Sequence, residues 1–459
     1  MGGMIRLRVV LVLVVSSAVF AQESAPSTRP VVPLTRAEAA ADLDELAAGI
    51  REKWSYLEDK EKNHGLDLAK LVADAKARLD DVNTKAQFHA NVLELVASLK
   101  DGHAHVLTPG VGQPQRRWPF KVEQTPEGFV VVMTTKDWPE IGSRVLDIIP
   151  PTGQTGMGIE TALSAMERTT LASTDGARRR AALRRLQQTD WPMLTVGFAR
   201  LDGSKHWISF DSVAPEAAPV AQPLLMEASW RPSVVAPGVA RFCVRTFAVE
   251  DWSNWLEAAP ESREAFLTRT KESIDRCFEE LRKLAPKALV LDLRGNGGGT
   301  DLLGIHLAKR LVPKRFVYYG LSARRDGQWS KPHGYEHDPF PPEQRFDGPL
   351  AILIDEDCFS VTDNVLRAIV ENRPDVMVVG RPTNGGTGAP GAIAKLPRSE
   401  TSVTLCTMRV YGPKGEIIEG RGTTPTIPVR WTAADFLEKR DPDLAAALEA
   451  LNRAESRPK

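Results

Sequence analysis

Ser360 is the residue whose surroundings most clearly suggest chemistry. It follows the apolar run Leu353-Ile354 and precedes a helical pattern over about 361–372. A serine at such a strand-to-helix turn has backbone N–H groups and the positive end of a helix beside it, which can stabilise an oxyanion. Serines at helix starts also serve simply as N-caps. The local sequence leaves both roles open.

A glycine-rich loop follows a second buried strand pattern. The strand Ala288 to Leu293 leads into Gly295-Asn296-Gly297-Gly298-Gly299. Glycines let a backbone approach a ligand closely and leave N–H groups directed outward. A phosphate loop is the rival interpretation, but the segment has neither a Gly-Lys-Ser/Thr ending nor the G-x-G-x-x-G spacing. Asn296 is predicted to hold the loop through its side-chain amide.

Two imidazoles, His103 and His105, end an amphipathic helical pattern. A histidine with an ordinary pKa of about 6.5 can take a proton from a serine hydroxyl and return it to a leaving group. Only one of the two rings can serve as the base. Residue types alone do not choose between them.

Taken in order, three segments resemble the C-terminal processing peptidases, a serine peptidase family that includes tail-specific proteases and the tricorn protease core. They are Asp101 to Ala104, Asp292 to Gly299 and Ser360 to Asp363, and the likeness covers nearly everything after residue 35. It implies an α/β fold with a crotonase/ClpP-like catalytic core, an N-terminal helical region and a PDZ-like α+β middle domain. It also implies Ser360 as nucleophile and His103 as base.

Departures from the family pattern point to the tricorn-like branch. Tail-specific proteases use a lysine base, and its place falls on or beside Gly386. The tricorn-like branch has a serine before the histidine, here Gly102, and a glutamate, here matched by Glu419. The resemblance implies that Glu419 orients His103 directly or through water; a solvated loop carboxylate is the alternative. It also implies oxyanion donors from Gly298 or Gly299 and from the backbone N–H of Val361, with no cofactor or metal.

The first residues have the pattern of a targeting signal. An arginine-bearing start, a short apolar run and a small-residue site predict a signal peptide over 1–21, and hence an exported, periplasmic or extracellular protein. A linker over 22–33 follows. The apolar run is too short to span a membrane stably.

The spacing of apolar residues divides the rest of the chain into four segments. The predicted segments are an N-terminal helical region over 34–107, a PDZ-like domain over 115–222, a catalytic core over 225–432 and a C-terminal helix over 433–459. Arginines between 178 and 185 are interpreted as a solvated helix face. Four cysteines, Cys243, Cys277, Cys358 and Cys406, either pair in an oxidising compartment or stay as buried thiols.

The composition is that of a globular protein. The 459 residues are 42% hydrophobic and 26% charged, with a formal net charge of zero, so attraction to nucleic acid is not indicated. The prediction is an exported serine peptidase acting on polypeptides or peptides, with oligomerisation left open. The alternatives are an inactive peptidase-like binding protein and an esterase-type acyl hydrolase, since a Ser–His pair also cleaves esters.

Overall fold

The computed structural model describes residues 33–455 except 113, 136, 150–155, 219–229, 250–251, 253–254, 256–257 and 326–327. The predicted signal peptide and all of the predicted linker but its last residue lie outside the described residues, so both stay predictions. None of the helices in the described ranges has the length and apolar character needed to cross a membrane.

The N-terminal region is mainly helical. Its elements are β1 (Leu34–Thr35), α1 (Arg36–Lys53), α2 (Leu57–His64), α3 (Leu68–Ala77), β2 (Val82–Asn83), α4 (Lys85–Ser98) and β3 (His105–Leu107). Thr35 and Thr84 begin α1 and α4 with reciprocal capping boxes, which satisfy backbone N–H groups that a helix start leaves unpaired. The helices bury residues such as Leu43, Leu46 and Phe88 in one cluster.

A middle region combines a sheet with two helices. Its elements are β4 (Arg116–Arg117), β5 (Phe120–Thr125), β6 (Gly128–Thr134), β7 (Arg144–Ile149), β8 (Met157–Gly158), α5 (Ile159–Glu167), α6 (Asp175–Leu186), β9 (Gln188–Thr189), β10 (Met193–Ala199) and β11 (Lys205–Asp211). The sheet runs in the order β11-β10-β7-β6-β5, and β8 pairs with β7. Its α+β character agrees with the expectation, and its likeness to a PDZ domain stays a prediction.

Except for the exposed Arg184, the arginines of α6 do not form a solvated face, so that interpretation is wrong for most of them. Arg178 donates to the carbonyl of Ala97, and Arg180 pairs with Glu123 and Asp357. The guanidinium groups of Arg178 and Arg180 contact other regions of the chain. Helical periodicity alone does not distinguish such contacts from exposure to solvent.

The third region is built on two sheets and their covering helices. Its strands are β12 (Pro232–Ala236), β13 (Val239–Cys243), β14 (Ala288–Asp292), β15 (Phe316–Arg325), β16 (Gln328–Trp329), β17 (His333–His337), β18 (Leu350–Ile354), β19 (Met377–Gly380), β20 (Ala389–Lys395), β21 (Ser402–Tyr411) and β22 (Ile427–Pro428). Its helices are α7 (Pro260–Leu284), α8 (Asp301–Leu311), α9 (Val361–Asn372), α10 (Ala433–Leu437) and α11 (Pro442–Glu455).

The larger sheet of this region confirms the α/β fold class. Its order is β12-β13-β14-β18-β19-β22, and all its pairs are parallel except β12 with β13. Successive residues of β14 and β18 enter opposite cores, as a sheet covered on both faces requires: Leu289 and Ile352 lie in one cluster, Val290 and Ala351 in the other. Helices α7, α8 and α9 cover the first face and α11 the second.

A second sheet connects the N-terminal region to this core. Its order is β16-β15-β21-β20, with β17 on β15 and β3 on β21. Strand β3 pairs antiparallel with β21, His105 opposite Thr404. The N-terminal helices share one apolar cluster with Ile393, Leu405 and other residues of this sheet. His103 lies two residues before β3, so the pairing of β3 with β21 positions His103 next to the core.

Candidate active site

The site forms where β14 and β18 end side by side, the usual position of a ligand site in an open α/β sheet. The glycine loop leaves β14, and the turn that carries Ser360 leaves β18. The two are tied together: Phe359 N–H donates to the Asn296 carbonyl at 3.0 Å, and Thr362 Oγ1 donates to the same oxygen at 3.0 Å.

Ser360 occupies a strained turn. Its φ is +60° and its ψ is −120°, a region that L-residues rarely adopt and that costs on the order of 1–3 kcal/mol. Its side chain makes no capping hydrogen bond to α9, so the simple N-cap role is not what the geometry shows. Its N–H donates to the Gly386 carbonyl at 2.9 Å, which holds the turn in place.

The hydroxyl of Ser360 meets the imidazole of His103. Ser360 Oγ lies 3.0 Å from His103 Nε2, and both residues are buried. His105, the rival base, begins β3 instead. The structure thus brings together the two residues, 257 positions apart, that the motifs singled out.

Asp101 fixes the backbone of His103 rather than its ring. One carboxylate oxygen accepts from the His103 N–H at 2.9 Å. The other accepts from Trp54 Nε1 at 2.9 Å and from the Cys406 N–H at 2.8 Å. The ring packs against Phe359, with centroids 4.4 Å apart. Burial, only partly offset by the charge of Asp101, lowers the pKa of His103 to about 4, so the ring is neutral at pH 7.

The far side of the His103 ring has no hydrogen bond. Among the described residues, Nδ1 is buried and has no partner. Glu419 is also buried, but its Oε2 accepts from the Thr387 N–H at 2.5 Å and not from the imidazole. Burial, followed by the neighbouring Asp101 charge, raises the pKa of Glu419 to about 8. Glu419 is therefore neither a solvated loop carboxylate nor a direct partner of His103.

Ser173 was missed by the sequence reasoning. Its buried Oγ accepts from the Gly102 N–H at 2.9 Å, and a Cβ added to Gly102 would lie only 2.6 Å from that oxygen. The Ser173 hydroxyl also interacts with Glu419. A hydroxyl from a distant segment therefore fills the space next to Gly102. The one signal in the sequence that bears on this contact is Gly102, which stands where the tricorn-like branch has a serine.

Phe359 explains the glycine at position 386. A Cβ on Gly386 would lie 2.0 Å from Phe359 Cε2, which no side chain tolerates. The ring that packs on His103 thus fills the place where a lysine would begin. Lys395, the nearest lysine downstream, is the last residue of β20. A lysine at position 386 and the Phe359 ring cannot occupy this space together. The arrangement with Phe359 against His103 therefore excludes a lysine base at this position.

The glycine loop is shaped by Asn296, as predicted. Asn296 Nδ2 donates to the Val244 carbonyl at 2.9 Å, and its Oδ1 accepts from the Gly298 N–H at 2.9 Å. Gly298 and Gly299 have φ of +99° and +148°, so both need glycine. Because the Gly298 N–H already has an acceptor, Gly299 is the better placed of the two candidate donors in this loop. Val361 N lies 3.0 Å from the position of a Gly298 Cβ.

An ion-pair network anchors the end of β14. Arg294 is buried and donates to Asp292, Asp441 and Asp443. These contacts join the glycine loop to the start of α11. Despite its burial, the two arginines Arg294 and Arg245 hold the pKa of Asp292 well below its usual value. The set is structural.

The four cysteines are buried thiols in the structure. Cys358, two residues before Ser360, donates to the Leu293 carbonyl at 3.2 Å, and burial raises the pKa of its thiol well above the usual value. Asp101, His103 and Cys406 each place a ligand-type atom within 4.8 Å of the others. Two of these groups are already engaged: Asp101 accepts three N–H groups, and burial raises the pKa of the Cys406 thiol. This set is poorly suited to hold a metal.

Comparison with known proteins decides the family. Residues 257–429 match the model of peptidase family S41. This part of the chain is a peptidase domain of family S41. The match covers the glycine loop, the Ser360 turn and Glu419, whereas His103 lies upstream of it. No curated protein matches the chain significantly.

The fold of the S41 chain resembles solved peptidase structures. One is mature CPAF complexed with lactacystin, at 16% identity and a TM-score of 0.69, with 91% of this chain and 97% of that chain covered. Another is a peptidase described as putative from Parabacteroides merdae, at 15% identity and a TM-score of 0.51, with 91% and 97% covered. At these identities the likeness concerns the fold, and it extends over the N-terminal and middle regions as well.

Proposed function

We propose that this S41 peptidase cleaves peptide bonds by a Ser–His mechanism. The observation that carries the proposal is the 3.0 Å separation of Ser360 Oγ and His103 Nε2 at a strained turn. A serine hydroxyl is a weak nucleophile near neutral pH unless a base accepts its proton. The neutral, buried imidazole is such a base, and no lysine occupies the matching loop.

The steps follow from this geometry. As Ser360 Oγ attacks the scissile carbonyl carbon, its proton passes to His103 Nε2, and the carbonyl oxygen gains negative charge. The backbone N–H groups of Gly299 and Val361 are the proposed donors to that oxygen, and losing one such donor typically costs about 3 kcal/mol of transition-state stabilisation. His103 then protonates the leaving amine, and an acyl-enzyme remains. Water, deprotonated by His103, releases the second product.

Orientation of the ring is proposed to come from packing and from the backbone. Phe359 fixes one face of the imidazole, and Asp101 fixes the His103 N–H. Ser173 accepts a hydrogen bond from the Gly102 N–H and interacts with Glu419. The two residues are proposed to position His103 through the backbone of Gly102. This differs from a direct contact of Glu419 with His103.

Active-site labelling tests the mechanism. A fluorophosphonate probe should label the wild-type chain, and Ser360→Ala should abolish labelling. His103→Ala should slow it by about a hundredfold or more, the usual contribution of a general base. His105→Ala is the matched control, an imidazole two residues away, and should label within about threefold of wild type.

The outcomes separate the candidate functions. Absence of labelling in the folded wild-type protein would favour a peptidase-like binding protein. Labelling that survives Ser360→Ala would contradict the nucleophile. Among labelled, active preparations, turnover of ester substrates without turnover of any peptide would favour the acyl hydrolase.

A further inference from the structure

A small pocket opens beside Ser360 on the side of α8 and the second sheet. Its volume is about 20 Å³, and Ser360 itself is part of its lining. About 10–15 Å³ accommodates one water, so the space suits a short side chain and not a long one. Because the nucleophile lies at its edge, a peptide bond placed for attack brings a neighbouring side chain to this pocket.

The apolar wall of the pocket follows from strand periodicity. Tyr319 and Leu321 are two residues apart in β15, and Met408 and Val410 are two residues apart in β21. Residues two apart in a strand share a face. The register pairs Leu321 with Val410, so both strands present this face to the same space.

Besides the hydroxyl groups of Ser360 and Tyr319, the lining contains two polar side chains, Asp301 and Asn364. Asn364 lies one helical turn after Ser360 in α9 and therefore on the same side of that helix. Asn364 Nδ2 donates to Asp301 Oδ1 at 3.1 Å. This leaves Asn364 Oδ1 directed elsewhere: Asn364 is only 5% exposed, and its Oδ1 has no partner among the described residues.

A buried acceptor without a partner is costly, so the site is suited to a ligand that donates a hydrogen bond. Asp301 adds acceptor oxygens at the same place. Burial raises the pKa of Asp301 to about 6, so its carboxyl group is still mainly ionised at pH 7.5. The Asn364 amide oxygen and the Asp301 carboxylate therefore both accept hydrogen bonds from a side chain that enters the pocket.

We propose that this pocket binds the P1 side chain, on the acyl side of the scissile bond, and selects short side chains that donate a hydrogen bond. Serine and threonine are the residues that fit this description best. The inference rests on the proposed Ser360 mechanism and adds the substrate class. A bulky apolar or a long basic side chain exceeds the volume, and alanine leaves the Asn364 oxygen unpaired.

The test uses synthetic peptides that differ only at P1. A mixed peptide library, read by mass spectrometry, first gives a sequence that the wild-type protein cleaves, and P1 is then varied among Ser, Thr, Ala, Leu and Lys. We expect kcat/KM for Ser or Thr to exceed that for Ala by about tenfold, the usual effect of one hydrogen bond in a buried site. Leu and Lys peptides should be cleaved more slowly still.

Two variants assign the preference to the pocket. Asp301→Asn keeps the shape and the Asn364 contact but replaces one acceptor by a donor, so the ratio of Ser to Ala should fall below about threefold. Asn364→Leu should have the same effect. Asp175→Asn is the matched control, since Asp175 and Asp301 both follow a threonine N-cap in the first turn of a helix. The control should keep the wild-type ratio.

Equal cleavage of the Ser and Ala peptides, a preference for Leu or Lys, or an unchanged ratio in Asp301→Asn would overturn the inference. Because Asp301→Asn is isosteric, the test survives if Asn364→Leu does not fold. Labelling that depends on Ser360 but comes without a P1 preference contradicts this inference alone. Loss of both labelling and peptide cleavage overturns the proposed mechanism and the inference together.

Discussion

At the residue scale, the site depends on one hydrogen-bonded pair and on what surrounds its imidazole. His103 is buried against Phe359, and its Nδ1 has no partner in the described part of the chain. An imidazole in such surroundings resists protonation, because burial penalises the charged form. A base that stays neutral is available for Ser360 well below the pH at which an exposed histidine is half protonated.

The consequence is a shifted pH dependence. In the proposed mechanism the imidazole must be neutral to accept the serine proton, and burial lowers its pKa to about 4. The working form is therefore lost as the pH falls through about 4, not through 6.5. We expect the His103 ring in the inactive Ser360→Ala protein to titrate near 4, measured by NMR of protein labelled at histidine. His103→Gln assigns the signal, and a midpoint at 6.5 or above would contradict the burial effect.

Sequence reasoning found Ser360 and His103 because their local motifs are informative. It missed Ser173 because that residue stands in no motif, and its role depends on a distance of 2.9 Å to Gly102, 71 positions away. It could not choose between a direct and an indirect role for Glu419 for the same reason. Such choices depend on side-chain directions that no periodicity encodes.

At the element scale, three loops meet at the ends of two parallel strands. The glycine loop leaves β14, the Ser360 turn leaves β18, and the segment around Gly386 precedes β20. Asn296 connects the first to the second through its backbone carbonyl, and Gly386 connects the third to the second. Each loop thus limits the positions available to the others.

The side chain of Asn296 shapes the glycine loop, whereas its backbone carbonyl makes the contacts with the Ser360 turn, so loss of the side chain should affect the rate more than the fold. Asn296→Ala removes the acceptor of the Gly298 N–H and leaves the Val244 carbonyl without its donor, at a cost of about 1–3 kcal/mol. We expect kcat to fall by about tenfold or more, because oxyanion donors require exact placement.

The comparison for this prediction is Asn372→Ala, which removes a contact only with Ala368 in the same helix. Activity is measured with the peptide series, and stability by denaturant unfolding. A drop in stability with kcat unchanged would show that the loop keeps its shape without Asn296.

The strand and helix patterns predicted the two units that end at the glycine loop and at Ser360, and the α/β class is confirmed. The patterns did not predict that β3 would pair with β21 of the core. A three-residue strand carries too little periodicity to predict a partner about three hundred positions away.

At the scale of the whole molecule, ion pairs connect the middle region to the turn before Ser360. Arg180 of α6 donates to Asp357 at 2.8 Å and to Glu123 at 2.7 Å, and Arg184 also pairs with Asp357. Asp357 stands three residues before Ser360. Arg180 and Arg184 hold the pKa of Asp357 well below its usual value, so this carboxylate is charged throughout the useful pH range.

Arg180→Ala should therefore weaken both stability and activity. It removes one of the two cationic partners of each of two mostly buried carboxylates, Glu123 and Asp357. Lys121 stays beside Glu123 and Arg184 beside Asp357, so we expect a loss of roughly 2 kcal/mol, less than a buried carboxylate left with no partner would cost. We expect a lower free energy of unfolding in urea and a lower kcat/KM, since the turn before Ser360 loosens.

The matched variant is Arg184→Ala, an arginine in the same helix with a side chain 48% exposed. Its effect on stability should stay below about 1 kcal/mol, because exposed ion pairs contribute little. Equal effects of the two variants would mean that burial does not decide the strength of this contact.

The sequence by itself determined the order of the chemical motifs, the alternation of strands and helices in the core, and the peptidase class. These are carried by neighbours in the chain, where residue type and spacing limit what can form. The tertiary structure decided that Ser360 Oγ lies within hydrogen-bond distance of His103 Nε2, that Phe359 takes the space of a lysine, that Ser173 lies beside Gly102, and that α6 binds the turn before Ser360. Each joins segments far apart in the chain, and packing settles such contacts only when the whole fold is formed.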